Sequence, residues 1–93
     1  MKELMDSLLS MKPRSNTAKV MDCLIKAKEP LKPKDIRDAL GLEMRRVTTT
    51  LSILRRKGLA EKVGEGYVST ITYLDIILYL ASSFKRIEKL KGE

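Results

Sequence analysis

The sequence has no histidine, a single cysteine and few aromatic residues, and each shortage excludes a class of protein. Only 4% of its 93 residues are aromatic, so a core must be built from aliphatic side chains. With Cys23 alone, no disulfide can form within the chain. Without histidine, a His/Cys metal cluster and a Ser–His or Cys–His catalytic pair are impossible. We therefore expect a protein that is not an enzyme and that has no cofactor and no metal site.

Long hydrophobic runs are also missing. The longest uninterrupted one, from Ile76 to Ala81, is far shorter than the roughly 20 residues that cross a bilayer. The amino-terminal segment carries Glu3 and Asp6 within its apolar pattern and lacks the apolar region of a signal peptide. These features predict a cytoplasmic protein.

Positive charge is abundant and concentrated in one part of the chain. The formal net charge is +7, and residues 31–58 hold 8 Lys/Arg against 3 Asp/Glu. A local excess of positive charge of this kind favours polyanionic partners through electrostatic steering and counterion release. If that polyanion is DNA, the protein would be nucleoid-associated.

Hydrophobic periodicity and turn residues predict one mainly helical α+β domain over residues 1–93. The predicted order is helix, helix, short strand, helix, turn, helix, hairpin and terminal helix. A packing helix (1–12), a central domain (13–70) and a terminal helix (71–91) divide the chain. The predicted elements are helices at 2–11, 17–28, 33–40, 43–57 and about 72–90, and strands at 59–63 and 67–70.

Residues 33–69 resemble the winged helix-turn-helix of bacterial and archaeal transcription regulators, particularly the MarR and ArsR types. The resemblance rests on "PLKPKDIRDALGL", "RRVTTTLSILRRKGLAEKV" and "GEGYVS". It implies that Gly41 turns the chain between two helices, that residues 43–57 form the recognition helix and that a hairpin wing follows. It also implies terminal helices that dimerise, as in small archaeal members. Glu61 and Glu65 on the wing are unfavourable beside phosphate, so a contact between the wing and DNA stays open.

Helix geometry independently supports a DNA-binding surface at 43–57. At 100° per residue, Val47, Leu51 and Leu54 share the core-facing side, which leaves hydroxyl and guanidinium groups on the outer side. Such groups can contact base edges and phosphates in the major groove. The predicted DNA-binding residues are Lys32, Lys34, Met44, Arg45, Arg46, Thr48, Thr49, Ser52, Arg56 and Lys62.

The terminal helix predicts a homodimer. Its apolar residues at 73, 77, 80, 84 and 87 are spaced alternately four and three residues apart, as in a coiled-coil seam. A second apolar face, at 71, 74, 78 and 81, lies beside it. We expect one face on the domain and the other on a second copy, with the first helix assisting. Alternatively, residues 2–11 fold back and cover the second face within the monomer. The predicted interface residues are Leu4, Leu8, Tyr73, Ile77, Leu80, Phe84 and Ile87.

The sequence therefore predicts a homodimer that binds double-stranded DNA through the major groove and regulates transcription. Two alternatives stay open. One is a sequence-tolerant, chromatin-type DNA binder, and the other is a winged-helix module that binds an acidic protein. The target sequence, the sense of regulation and any small-molecule effector are not predicted.

Overall fold

The computed structural model describes the backbone of residues 2–91 and the side chains of residues 3–82. Within these limits the chain is a mainly helical α+β structure with five helices and one two-stranded antiparallel hairpin. The predicted order is confirmed except for the short strand between the second and third helices, where Leu31 forms only an isolated bridge. No helix among the described residues is long and apolar enough to cross a membrane. The elements are α1 (Lys2–Leu9), α2 (Asn16–Lys26), α3 (Pro33–Leu40), α4 (Met44–Arg56), β1 (Ala60–Val63), β2 (Gly66–Ser69) and α5 (Tyr73–Lys91).

Local capping interactions set the helix boundaries. The Ser15 hydroxyl accepts a hydrogen bond from the Ala18 N–H at 3.1 Å, and α2 therefore begins one residue earlier than predicted. The Asp35 carboxylate accepts from the backbone N–H of Lys32 at 2.9 Å, where Pro33 opens α3. Gly41 ends α3 with φ of 68°, a conformation that other residues adopt at a cost. The prediction of a sharp turn between α3 and α4 is confirmed.

An aliphatic core lies beneath α2, α3 and α4. As predicted, one stripe of α2 and one stripe of α4 supply most of it, while α1 contributes Met5 from outside the central domain. The buried apolar residues are Met5, Val20, Met21, Leu24, Ile36, Val47, Leu51, Leu54, Leu59, Ala60 and Ile71.

Hydrogen bonds fasten the hairpin to the linker between α2 and α3 and close its own base. Leu31, in the linker between α2 and α3, pairs with Tyr67 through two backbone hydrogen bonds of 3.0 and 2.7 Å. Gly66 lies so close to Pro30 that a Cβ there would come within 2.8 Å of the proline Cβ. At the base of the hairpin, the Thr70 hydroxyl donates to the Gly58 carbonyl at 2.7 Å.

Helix α5 packs on the domain with a different face from either one predicted. The side chains that contact the core are Ile76 and Tyr79, and the Tyr79 hydroxyl lies 3.3 Å from an Asp6 carboxylate oxygen on α1. Of the two predicted apolar faces, only Ile71, which precedes α5, lies in the core. The expectation that a whole face would cover the domain is therefore wrong, because within α5 the side chains of both faces are exposed, as Leu74 at 63% and Ile77 at 60% show.

Helix α1 folds back on its own domain. Met5 is fully buried, and Leu4 and Leu8 are half-buried against the core. Leu4 lies beside Gly58, and a Cβ added to Gly58 would come within 3.2 Å of the Leu4 Cδ2 atom. Phe84 and Ile87, also predicted in the dimer interface, lie outside the described side chains.

Candidate nucleic-acid interface

Helix α4 turns its polar face to solvent. Val47, Leu51 and Leu54 are at most 1% exposed, which fixes the rotation of the helix about its axis. The opposite side then carries exposed polar side chains, in agreement with the helical-wheel expectation. Those predicted there are Arg45, Thr49, Ser52 and Arg56, and all four are exposed.

The cations of α4 are not neutralised by neighbouring carboxylates. Among the side chains of residues 3–82, the ion pairs within 4.0 Å join Lys26 to Asp22, Lys32 to Glu65 and Arg37 to Asp38. None of these pairs involves α4. Its four arginines therefore present their full charge and their guanidinium donors to whatever approaches the outer face.

The hydroxyl groups of α4 differ in how far they are already engaged. Thr48 donates to the Arg45 carbonyl at 3.1 Å, which occupies its proton within the helix. Thr49 and Ser52 are exposed and make no hydrogen bond through their side chains in the described part of the chain. On the outer face of α4, Thr49 and Ser52 thus have hydroxyls that are free to contact a ligand.

The remaining predicted DNA-binding residues surround α4 unequally. Lys34 on the first turn of α3 and Lys62 on β1 are exposed, whereas Met44 is half-buried and not at an exposed helix start as predicted. Lys32 is exposed, but its Nζ atom lies 3.5 Å from an Oε atom of Glu65 at the tip of the hairpin. The acidic tip therefore lies over a lysine predicted to hold phosphate.

A polar cleft between α2 and α4 brings in residues that the sequence analysis missed. Its volume is about 560 Å³, and Asn16 and Thr17 on the first turn of α2 form one wall. Arg45 and Arg46 lie on the α4 side. One sequence signal pointed there: a helix start directly after the basic segment "KPRS", since helix N-termini favour anions.

A second surface, away from α4 in its lining residues, is apolar. A groove of about 330 Å³ lies between α1, α2 and the start of α5, and Leu8, Ile25, Tyr73 and Ile76 are among its lining residues. It continues into the exposed apolar surface of α5, where Leu80 is 43% exposed. The polar face of α4 and the apolar face of α5 are thus separate surfaces.

Cys23 is half-buried on α2. Partial burial, with a smaller contribution from the Asp22 carboxylate, raises the pKa of its thiol. A raised pKa lowers the thiolate fraction at neutral pH and with it the reactivity. Among the described residues, no three His, Cys, Asp or Glu side chains form a group that could hold a metal ion.

The fold is that of a small, mainly helical α+β domain with a β-hairpin. The chain is similar to the activation domain of the phage T4 transcription factor MotA, with a TM-score of 0.64 and 21% sequence identity over 97% of this chain and 94% of that one. No protein-family profile and no curated protein sequence matches the chain. The similarity shows a shared fold and does not favour the MarR or ArsR type.

Proposed function

We propose that this protein is a winged helix-turn-helix homodimer that binds double-stranded DNA and regulates transcription. Helix α4 is its recognition helix, and the hairpin is its wing. The observation that carries the proposal is the outer face of α4, where unpaired arginines alternate with free hydroxyl groups.

The dimensions and chemistry of α4 suit the major groove. Its 13 residues span about 20 Å, and an α-helix fits the groove, which is about 12 Å wide. Arg45 at the amino-terminal end can bond guanine O6 and N7, because the first residues of a recognition helix contact base edges. Thr49 and Ser52 face the same side one and two turns later. Arg56 near the end of the helix suits a phosphate.

The exposed apolar face of α5 supports the homodimer. Tyr73, Ile77 and Leu80 are 47%, 60% and 43% exposed and repeat four-three along the helix. Solvent-exposed apolar side chains at this spacing favour pairing with a like helix. A twofold pair would present two α4 helices to half-sites about 34 Å apart. Leu4 contributes to the packing of the monomer, whereas Leu8 lines the apolar groove beside Tyr73.

One observation favours a second candidate function. The similar phage domain is named an activation domain, and this chain carries a large apolar surface on α5. A protein-interaction module would use that surface, or the basic face of α4, to bind another protein. A sequence-tolerant DNA binder remains the other alternative, because unpaired arginines bind phosphates of any sequence.

Direct DNA binding as a function of salt separates these possibilities. Labelled duplexes, random and genomic, are titrated with the protein and with the Arg45→Ala/Thr49→Ala variant. A matched control, Lys28→Ala/Ser10→Ala, removes one exposed cation and one exposed hydroxyl that belong neither to α4 nor to the lining of the cleft beside it. We expect log K to fall by about 0.9 per phosphate neutralised for each unit of log salt, and only the α4 variant to lose sequence preference.

Each other outcome selects an alternative. A steep salt dependence without sequence preference in the unmodified protein indicates the chromatin-type binder. No binding at low salt refutes both DNA functions and leaves the protein-interaction module.

The dimer is tested separately by sedimentation in the absence of DNA. Ile77→Glu places a charge in the apolar face of α5 and should convert the dimer into a monomer with unchanged helix content. Ser82→Glu, on an exposed polar position of the same helix, is the control and should stay dimeric. A monomeric unmodified protein would contradict the dimer without bearing on DNA binding.

A further inference from the structure

The cleft between α2 and α4 is lined by a buried threonine whose hydroxyl makes no hydrogen bond within the described part of the chain. Thr50 is only 6% exposed and lines the cleft. Its side chain makes no hydrogen bond to any described residue. No fully enclosed side-chain polar atom among the described residues lacks a partner, so the Thr50 hydroxyl must reach solvent. The cleft is the surface that it reaches.

The fold itself makes no use of the Thr50 hydroxyl. Valine has nearly the same shape and the same low helix propensity, and it would pack the buried part of this position without a polar atom. The hydroxyl instead adds a donor to the wall of the cleft, where water or a ligand can accept its hydrogen bond.

The other groups around the cleft are hydrogen-bond donors. At the start of α2, the N–H of Ala18 is taken by Ser15 and that of Lys19 by the Ser15 carbonyl. The N–H groups of Asn16 and Thr17 have no partner in the described part of the chain, as is usual for the first turn of a helix. Helix N-termini of this kind bind phosphate, because free N–H groups and the helix dipole act together.

The charge of the cleft also favours an anion. Arg45 and Arg46 line it, and neither has an ion-pair partner among the described side chains. Glu43 lies at the rim as the single carboxylate of the lining. With two guanidinium groups against one carboxylate, the cleft carries a net positive charge.

We infer that this cleft is an oxyanion site that binds one phosphodiester of the DNA on which α4 docks. The Thr50 hydroxyl and the first-turn N–H groups of α2 hold the phosphate oxygens, and Arg45 or Arg46 balances the charge. Helix α2 thereby becomes a backbone clamp that fixes how deeply α4 enters the groove. The inference rests on the proposed DNA-binding function.

Thr50→Val tests the site because it removes the hydroxyl and keeps the shape. We expect DNA affinity to fall about tenfold, the order contributed by one hydrogen bond to a charged acceptor. The loss should be equal for all sequences, because a phosphate carries no base identity. The melting temperature should stay the same or rise, because the lost hydroxyl was unpaired.

A control with the opposite behaviour is available at Thr70. Its hydroxyl donates to the Gly58 carbonyl within the fold, so Thr70→Val should lower the melting temperature and leave DNA affinity unchanged. A duplex series in which single phosphates are replaced by neutral methylphosphonates then locates the contact. At the contacted position, the unmodified protein and Thr50→Val should bind equally.

Two further results bear on the inference. One refutes the oxyanion site, and the other leads to a test of whether the site binds a free phosphorylated molecule instead of DNA. If the unmodified protein binds DNA and Thr50→Val binds it equally well, the oxyanion site is refuted while the proposed function stands. If the unmodified protein binds no DNA, inorganic phosphate and a mononucleotide are titrated while the amide signals of Asn16 and Thr17 are followed. Shifts that Thr50→Val abolishes assign the site to a free phosphorylated molecule, and the absence of shifts refutes both proposals.

Discussion

Replacement of Glu65 by glutamine should strengthen DNA binding. The Glu65 carboxylate lies 3.5 Å from the Lys32 Nζ atom, with the two side chains 84% and 50% exposed. A phosphate held by Lys32 would therefore lie roughly 7 Å from that carboxylate. At this distance in water, two like charges repel by about 0.6 kcal/mol, which corresponds to about threefold in affinity.

The salt dependence should change as well. Lys32 released from Glu65 can neutralise one more phosphate, so the slope of log K against log salt should steepen by about 0.9. The fold should be little affected, because exposed ion pairs contribute about 0–1 kcal/mol to stability. Fluorescence anisotropy at several salt concentrations measures the affinity and the slope together.

Glu3→Gln serves as the control, because it changes the net charge equally from a position on α1. We expect Glu65→Gln to bind DNA more tightly than this control and to show a steeper slope of log K against log salt. Equal behaviour of the two variants would refute the reasoning, since it would mean that Lys32 and the hairpin tip lie away from the DNA.

Three further predictions concern the fold and the thiol. Leu51→Ala should destabilise the protein by about 2–5 kcal/mol in guanidinium unfolding, because Leu51 is 1% exposed at the centre of α4. Gly41→Ala should lower the free energy of unfolding by about 1 kcal/mol through backbone strain alone, since no heavy atom lies within 4 Å of an added Cβ. An unchanged unfolding midpoint would contradict this. Cys23 should react with iodoacetamide more slowly at pH 8 than a free thiol because its pKa is raised, and Asp22→Asn should partly restore the rate.

The sequence predicted those elements whose signals are local. Pro33 and Gly41 bound α3 on both sides, and the turn chemistry of each is independent of the rest of the chain. The rotation of α4 followed from the spacing of Val47, Leu51 and Leu54, because a helix with a single apolar stripe has only one way to bury it.

The features that the sequence did not predict depend on contacts between distant residues. Helix α5 is apolar around most of its circumference, so periodicity alone could not tell which side meets the domain; the structure selects Ile76 and Tyr79. The cleft joins Asn16 to Thr50, and no local pattern links two residues so far apart in the chain. Likewise, the pairing of Lys32 with Glu65 requires the hairpin to lie back on the linker.

The backbone pairing of Leu31 with Tyr67 has a thermodynamic consequence for binding. It fixes the hairpin to the linker that leads into α3, so hairpin, α3 and α4 approach a ligand as one preorganised unit. Little conformational entropy is then lost on association, in contrast to proteins whose recognition segments fold on the target. A calorimetric titration with DNA should accordingly give a heat-capacity change set by the buried interface alone.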